Sequence, residues 1–232
     1  MGSIYDPYIY PSKAVAMQRI LDFLGRGFPY HTEGVVPTEK ASGFADKFAE
    51  RYGVNKTKDS RRHARKRGEG VAILVMQPHE QRDAFYYWLL VSGNSEHPAS
   101  DEEDLRHYLG KRSDRLKWGD EFEVVIRTRP SERGGGTFLT WQMQAERFEQ
   151  LQEAVTAAAR QEGPRQAYGV LHTIERLPGF GGIRDQAYQL LNQFKQDWSR
   201  HHRRQDHPQL PRVPYIDRKG NGEMVRLSEV VS

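Results

Sequence analysis

Nine histidines, eleven tyrosines and no cysteine set the range of chemistry open to this chain. Without cysteine there is no thiolate nucleophile, no thiolate metal ligand and no disulfide. His201, His202 and His207 stand close in sequence, but beside Arg200, Arg203 and Arg204 they read as a solvated helix end rather than a metal site. The chain lacks His-Glu-x-x-His, His-x-His, a Gly-x-x-x-x-Gly-Lys-Ser/Thr loop and a Gly-x-Ser-x-Gly elbow. An Asp-x-Lys triplet occurs at 217–219 without a partnering acid on a preceding strand. Metal-free RNA cleavage asks for less: a His or Tyr to take the 2′-hydroxyl proton and a cation to hold the phosphate. Tyr30, His31, His79, His107 and Tyr108 meet that requirement, and their spacing selects none of them. No cofactor or metal is expected, and an enzyme is not the first expectation.

Charge speaks more plainly. Lys56, Lys58, Arg61, Arg62, Arg65, Lys66 and Arg67 put seven cations in twelve residues, with Asp59 the sole acid among them. Such a segment repels itself unless a counter-charge arrives, so a polyanion is the expected partner. The net charge of +4 is modest, and clustering steers a polyanion better than the same charge spread evenly. Arg61, Arg62, Arg65 and Lys66 lie on adjoining helical turns and are expected to address one phosphate backbone together. Further contacts are expected from Arg127, Arg129 and Arg133, around a Gly-rich tip at 129–136, and from Arg184, Arg200, Arg203 and Arg204. The acids at 101–104 sit at the start of a short helix, where the dipole explains them without catalysis.

Residues 176–185 read Arg-Leu-Pro-Gly-Phe-Gly-Gly-Ile-Arg-Asp. This joint resembles the hairpin of helix-hairpin-helix DNA-binding modules, and the likeness spans 166–191. It implies that the turn, Gly181 above all, presents backbone N–H groups to a phosphate. The pattern departs at Asp185, where the module has a small residue, and Ala187 comes two positions late. A plain Gly-rich turn between helices is the other reading.

These residues need elements to hold them. The apolar runs 71–76 and 85–91, joined by a polar turn, read as paired central strands, and 122–128 with 137–143 as a second pair. Helices are expected from Ser12, from Thr38, over roughly 57–67, and from Ser100, where Glu103 completes a capping box ahead of Leu105, Tyr108 and Leu109. The helix at 57–67 has Ala64 as its sole apolar residue and is expected to be solvated all round. Residues 28–36 read as an extended segment. After 143 three apolar stripes follow, the clearest being Ile183, Ala187, Leu190, Leu191, Phe194 and Trp198.

The expected fold class is α+β: an antiparallel sheet of about four strands, N-terminal helices and a C-terminal three-helix segment. The expected division is 1–143 for the sheet domain, 144–204 for the helices and 205–232 for an extended Pro-rich tail. No run approaches a membrane span, so a cytoplasmic protein with no membrane partner is expected. The function expected first is non-enzymatic nucleic-acid binding through backbone electrostatics, DNA and RNA both open. The overall look resembles accessory proteins of plasmids and other mobile elements. The alternatives are a metal-independent endoribonuclease, to which a likeness to CRISPR RNA-processing proteins at the level of fold points, and a protein-interaction subunit of a larger complex.

Overall fold

The computed structural model describes residues 5–93, 96–161, 164–202, 208–217 and 224–231. The chain is α+β, and its contacts divide it into two compact units, 1–116 with 218–232, and 117–217. The division therefore falls near 116 rather than at 143, because the strands after 116 pack with the helices that follow them. The tail is shared: 208–217 belongs to the second unit and 224–231 to the first.

In the first unit, β1 (Tyr8–Ile9) leads into α1 (Lys13–Gly25), β2 (Tyr30–Pro37), α2 (Ala41–Tyr52) and α3 (Lys58–Lys66). Then come β3 (Ala72–Pro78), β4 (Ala84–Val91), α4 (Ala99–Glu102) and β5 (Arg106–His107). One antiparallel sheet has the order β3-β4-β2-β5. The hairpin of the two apolar runs pairs Ala72 with Val91 and Met76 with Tyr87. The segment around 28–36 is a full strand, pairing Tyr30 with Val91 and Pro37 with Ala84, which makes β4 central.

Near-continuous apolarity has its cause in two covered faces. Leu74, Met76, Phe85 and Leu89 join Phe48 and Tyr52 of α2 in one core cluster. α1 packs on β3, and none of its side chains belongs to that cluster. Tyr10 N–H closes on the Met76 carbonyl at 3.2 Å, and the two-residue strand Val225–Arg226 pairs with β1, so the first and last described segments meet.

The expected helix at Ser100 is only the four-residue α4. Glu103 is extended, and its carboxylate accepts the Tyr52 hydroxyl at 2.6 Å instead of closing a capping box. Arg106 and His107 then extend the sheet along β2. A free sheet edge outcompeted a short amphipathic turn.

In the second unit, β6 (Lys117–Trp118), β7 (Phe122–Thr128) and β8 (Thr137–Met143) form a separate three-stranded sheet in that order. The 122–143 pair thus builds its own sheet and does not extend the first. α5 (Ala145–Arg160), α6 (Pro164–Glu175) and α7 (Gly181–His201) follow, with α7 packed on both α5 and β8. The stripe Ile183, Ala187, Leu190, Leu191, Phe194 and Trp198 is wholly buried, as its spacing requires. Gln186 pins α7 to β8, accepting the Met143 N–H at 2.6 Å and donating to its carbonyl at 3.2 Å.

Candidate nucleic-acid interface

Helix α3 is locally specified. The Thr57 hydroxyl caps it by accepting the Ser60 N–H at 3.2 Å, and Gly68 ends it in the left-handed region at φ 82°. Asp59 lies in its first turn and Arg65 and Lys66 in its last, both favourable to the helix dipole.

The helix is not solvated all round. Ala64 is buried at 2% exposure, and the cations on the same side are used by the protein itself. Arg61 is half-buried near Tyr5 and Tyr10 and donates to the Lys56 carbonyl; burial holds its pKa below the usual guanidinium value. Arg65 donates to the Arg26 carbonyl at 2.9 Å and lies 5.2 Å from the Phe28 ring centroid. It thereby supplies, from another element, the cation that the C-terminal turn of α1 lacks. Arg67 is forked onto Glu69 at 2.5 and 3.0 Å.

Lys58, Arg62 and Lys66 are left, spaced four residues apart on the outer face. All three are exposed, and Arg62 meets Asp59 at 3.6 Å. Lys58 and Lys66 make no ion pair among the described residues. Four residues of helix rise about 6 Å and turn about 40° past a full turn, so the three charges form a slanting row that climbs about 12 Å. Lys56 is exposed just ahead of the helix. The four cations expected to act together are therefore split: Arg62 and Lys66 face out, while Arg61 and Arg65 hold the helix to its unit.

The second unit brings Arg184 to the hairpin that carries Arg127 and Arg129. Arg127 pairs with Asp185 at 2.6 Å, Arg129 lies 5.1 Å from the Phe138 ring centroid, and Arg184 stands one turn into α7. The hairpin tip turns on Gly134, Gly135 and Gly136, all at positive φ. Arg200 is held by Asp197 at 3.0 Å, sixteen residues or about 24 Å along α7 from Arg184. The Arg133 side chain, Arg203 and Arg204 lie outside the described residues.

In the joint at 176–185, Gly179 and Gly182 lie against backbone. A Cβ on Gly179 would stand 2.2 Å from the Pro214 carbonyl oxygen, and one on Gly182 would stand 2.4 Å from that of Trp141. The Gly182 N–H donates to the Thr140 hydroxyl at 3.2 Å and the Gly179 carbonyl accepts the Ile216 N–H at 3.0 Å. Gly181 would meet nothing closer than the Phe138 ring at 3.5 Å. Two of these glycines answer to close backbone packing, and neither fact requires a phosphate.

Two residues near Arg184 escaped sequence reasoning. Tyr188, one turn on, and Tyr215, from the extended segment, flank its guanidinium at 5.4 and 3.4 Å. The spacing of four from Arg184 signals Tyr188; nothing in the sequence signals Tyr215.

Of the residues suited to metal-free RNA cleavage, four converge on β2 and β5. His31 is fully buried, with Nδ1 2.6 Å from Glu33 and Nε2 2.9 Å from the Asp114 carbonyl. Arg106 binds Glu33 from the other side at 2.8 Å. His107 meets Tyr30 edge-on at 5.2 Å and stacks on Tyr108 at 5.4 Å. His79 sits apart, in the β3–β4 turn near Asp83. Among the described residues no group of three or more His, Asp or Glu side chains is arranged to hold a metal ion, and no helix is long and apolar enough to cross a membrane. No protein-family model, curated protein or solved structure matches this chain.

Proposed function

We propose that this protein binds nucleic acid through its phosphate backbone, without catalysis, with the outer face of α3 as the first point of contact. The observation that carries the reading is the row of Lys58, Arg62 and Lys66. All three are exposed and their one ion pair is the solvent-facing contact of Arg62 with Asp59 at 3.6 Å, while Arg61 and Arg65 bond backbone carbonyls and Arg67 is forked onto Glu69. Backbone contact releases condensed counterions, so affinity falls steeply with salt. The test replaces Lys58, Arg62 and Lys66 with Ala together and titrates salt against duplex and single-stranded ligands. The slope of log affinity against log salt becomes shallower by roughly two to three units. An unchanged slope in a folded variant moves the reading to an acidic protein partner.

A second reading, metal-independent RNA cleavage, rests on the convergence of Tyr30, His31, His107 and Tyr108. His107 is its centre, because both ring nitrogens of His31 already face protein acceptors. Nδ1 of His107 accepts the Leu109 N–H at 3.1 Å, so the neutral ring carries its proton on Nε2. Burial pushes the Tyr108 phenol up, which suits a donor rather than a base. Labelled RNA cut in the presence of EDTA by the wild type, and not by His107→Ala, would establish this reading.

A further inference from the structure

We propose that Tyr188 and Tyr215, arranged around Arg184, form a stacking platform for unpaired bases, so that the ligand is single-stranded nucleic acid. This rests on the nucleic-acid reading above and narrows its substrate class. Tyr188 and Tyr215 are among the most exposed large aromatics of the second unit, at 39% and 62%. Arg184 is positioned: its Nε donates to the Val213 carbonyl at 2.8 Å, and its guanidinium lies 3.4 Å from the Tyr215 ring centroid. One face of Tyr215 is thus backed by a cation while the ring as a whole stays mostly open. A second cation–aromatic pair, Arg129 with Phe138, borders the same end of α7, since Phe138 also flanks Gly181.

Tyr215 is not needed to hold the extended segment down. Val213 is fully buried there, the Ile216 N–H is bonded to Gly179, and Arg184 already grips the Val213 carbonyl. An exposed ring beside a guanidinium offers a π-face and a positive charge together, which matches a base and its phosphate. In a duplex the bases stack on one another and offer no such face, so the platform selects unpaired strands. Asp185 is satisfied by Arg127 and leaves Arg184 uncompensated among the described residues.

The experiment is fluorescence anisotropy of the full chain with labelled oligothymidylate and oligouridylate of about 12 nucleotides, and with a duplex of the same length. Tyr188→Ala and Tyr215→Ala should each weaken single-strand binding roughly fivefold to a hundredfold, with duplex affinity within about twofold of wild type. Tyr215→Phe keeps the stack and should retain binding. Comparing the two oligonucleotides shows whether RNA or DNA is preferred. Tyr188→Ala lies outside the extended segment, so it tests the platform even where Tyr215→Ala loosens that segment. Unchanged single-strand affinity, or equal loss on duplex, in variants with the wild-type melting temperature overturns the platform and leaves the α3 reading standing. A wild-type protein that binds none of the three overturns both.

Discussion

Three glycines in four residues at the α6–α7 joint give a sharp steric test, because none lies at positive φ and backbone strain plays no part. A Cβ on Gly182 would sit 2.4 Å from the Trp141 carbonyl oxygen, with Gln142 and Thr140 side chains both at 3.2 Å. Trp141 is fully buried, so β8 cannot back away, and α7 must move by roughly 1 Å. Overpacking of that kind costs about 2–3 kcal/mol, offset by up to about 1 kcal/mol from replacing Gly with Ala in a helix. The net loss of about 1–2 kcal/mol lowers the melting temperature of a unit this size by roughly 5–15 °C. Gly179→Ala meets the Pro214 carbonyl at 2.2 Å, but 208–217 is an extended segment free to shift, so the smaller loss is expected there. Gly181→Ala meets only ordinary contacts at 3.5 Å and beyond, and should be neutral or slightly stabilising and leave nucleic-acid affinity unchanged. The assay is urea unfolding in a Trp88→Phe background, where Trp118, Trp141 and Trp198 all report the second unit. Damage from Gly181→Ala equal to that from Gly182→Ala would refute this steric ranking, whereas lost nucleic-acid affinity in a Gly181→Ala protein of unchanged stability would restore the phosphate-cradle reading of the joint.

Two further outcomes follow from the first unit. Arg65→Ala should cost about 1 kcal/mol, through the lost bond to the Arg26 carbonyl and the uncapped end of α1, whereas Arg62→Ala should stay within about 0.5 kcal/mol. Equal urea midpoints for the two variants would show that the inner and outer cations are not distinct. His97, buried at 5% exposure, accepts the Ala99 N–H on Nδ1 at 3.2 Å, so that nitrogen must stay unprotonated. Burial holds its pKa below the ordinary value of about 6.5, with Lys56 adding to the drop and a hydrogen bond to the Tyr52 backbone opposing it. The unfolded state therefore binds the proton more readily, and stability present above about pH 6.5 is lost as pH falls through the folded-state value. His97→Gln should lose less stability than wild type between about pH 7.5 and pH 5; parallel pH curves would sink the assignment.

Local physics made much of the fold legible. The hairpin of 71–91, the pair at 122–143 and the buried stripe of α7 follow from period and composition, because an apolar run in water has few ways to hide. The basic character of 56–67 was equally plain. Pairing partners were not, since a strand edge accepts any extended segment that reaches it. β2 joined the hairpin, β5 took its far edge, and the 122–143 strands closed their own sheet. The duties of the cations were settled only in three dimensions. Of seven like charges in sequence, three serve carbonyls or Glu69, Lys56 stands exposed ahead of the helix and a row of three faces outward, because α3 presents Ala64, Arg61 and Arg65 to the same side. Tyr215 lies thirty-one residues from Arg184, and only the fold of 208–217 across the N-terminal end of α7 brings ring and guanidinium to 3.4 Å. Charge density is a property of the sequence, but which charges remain available is a property of packing.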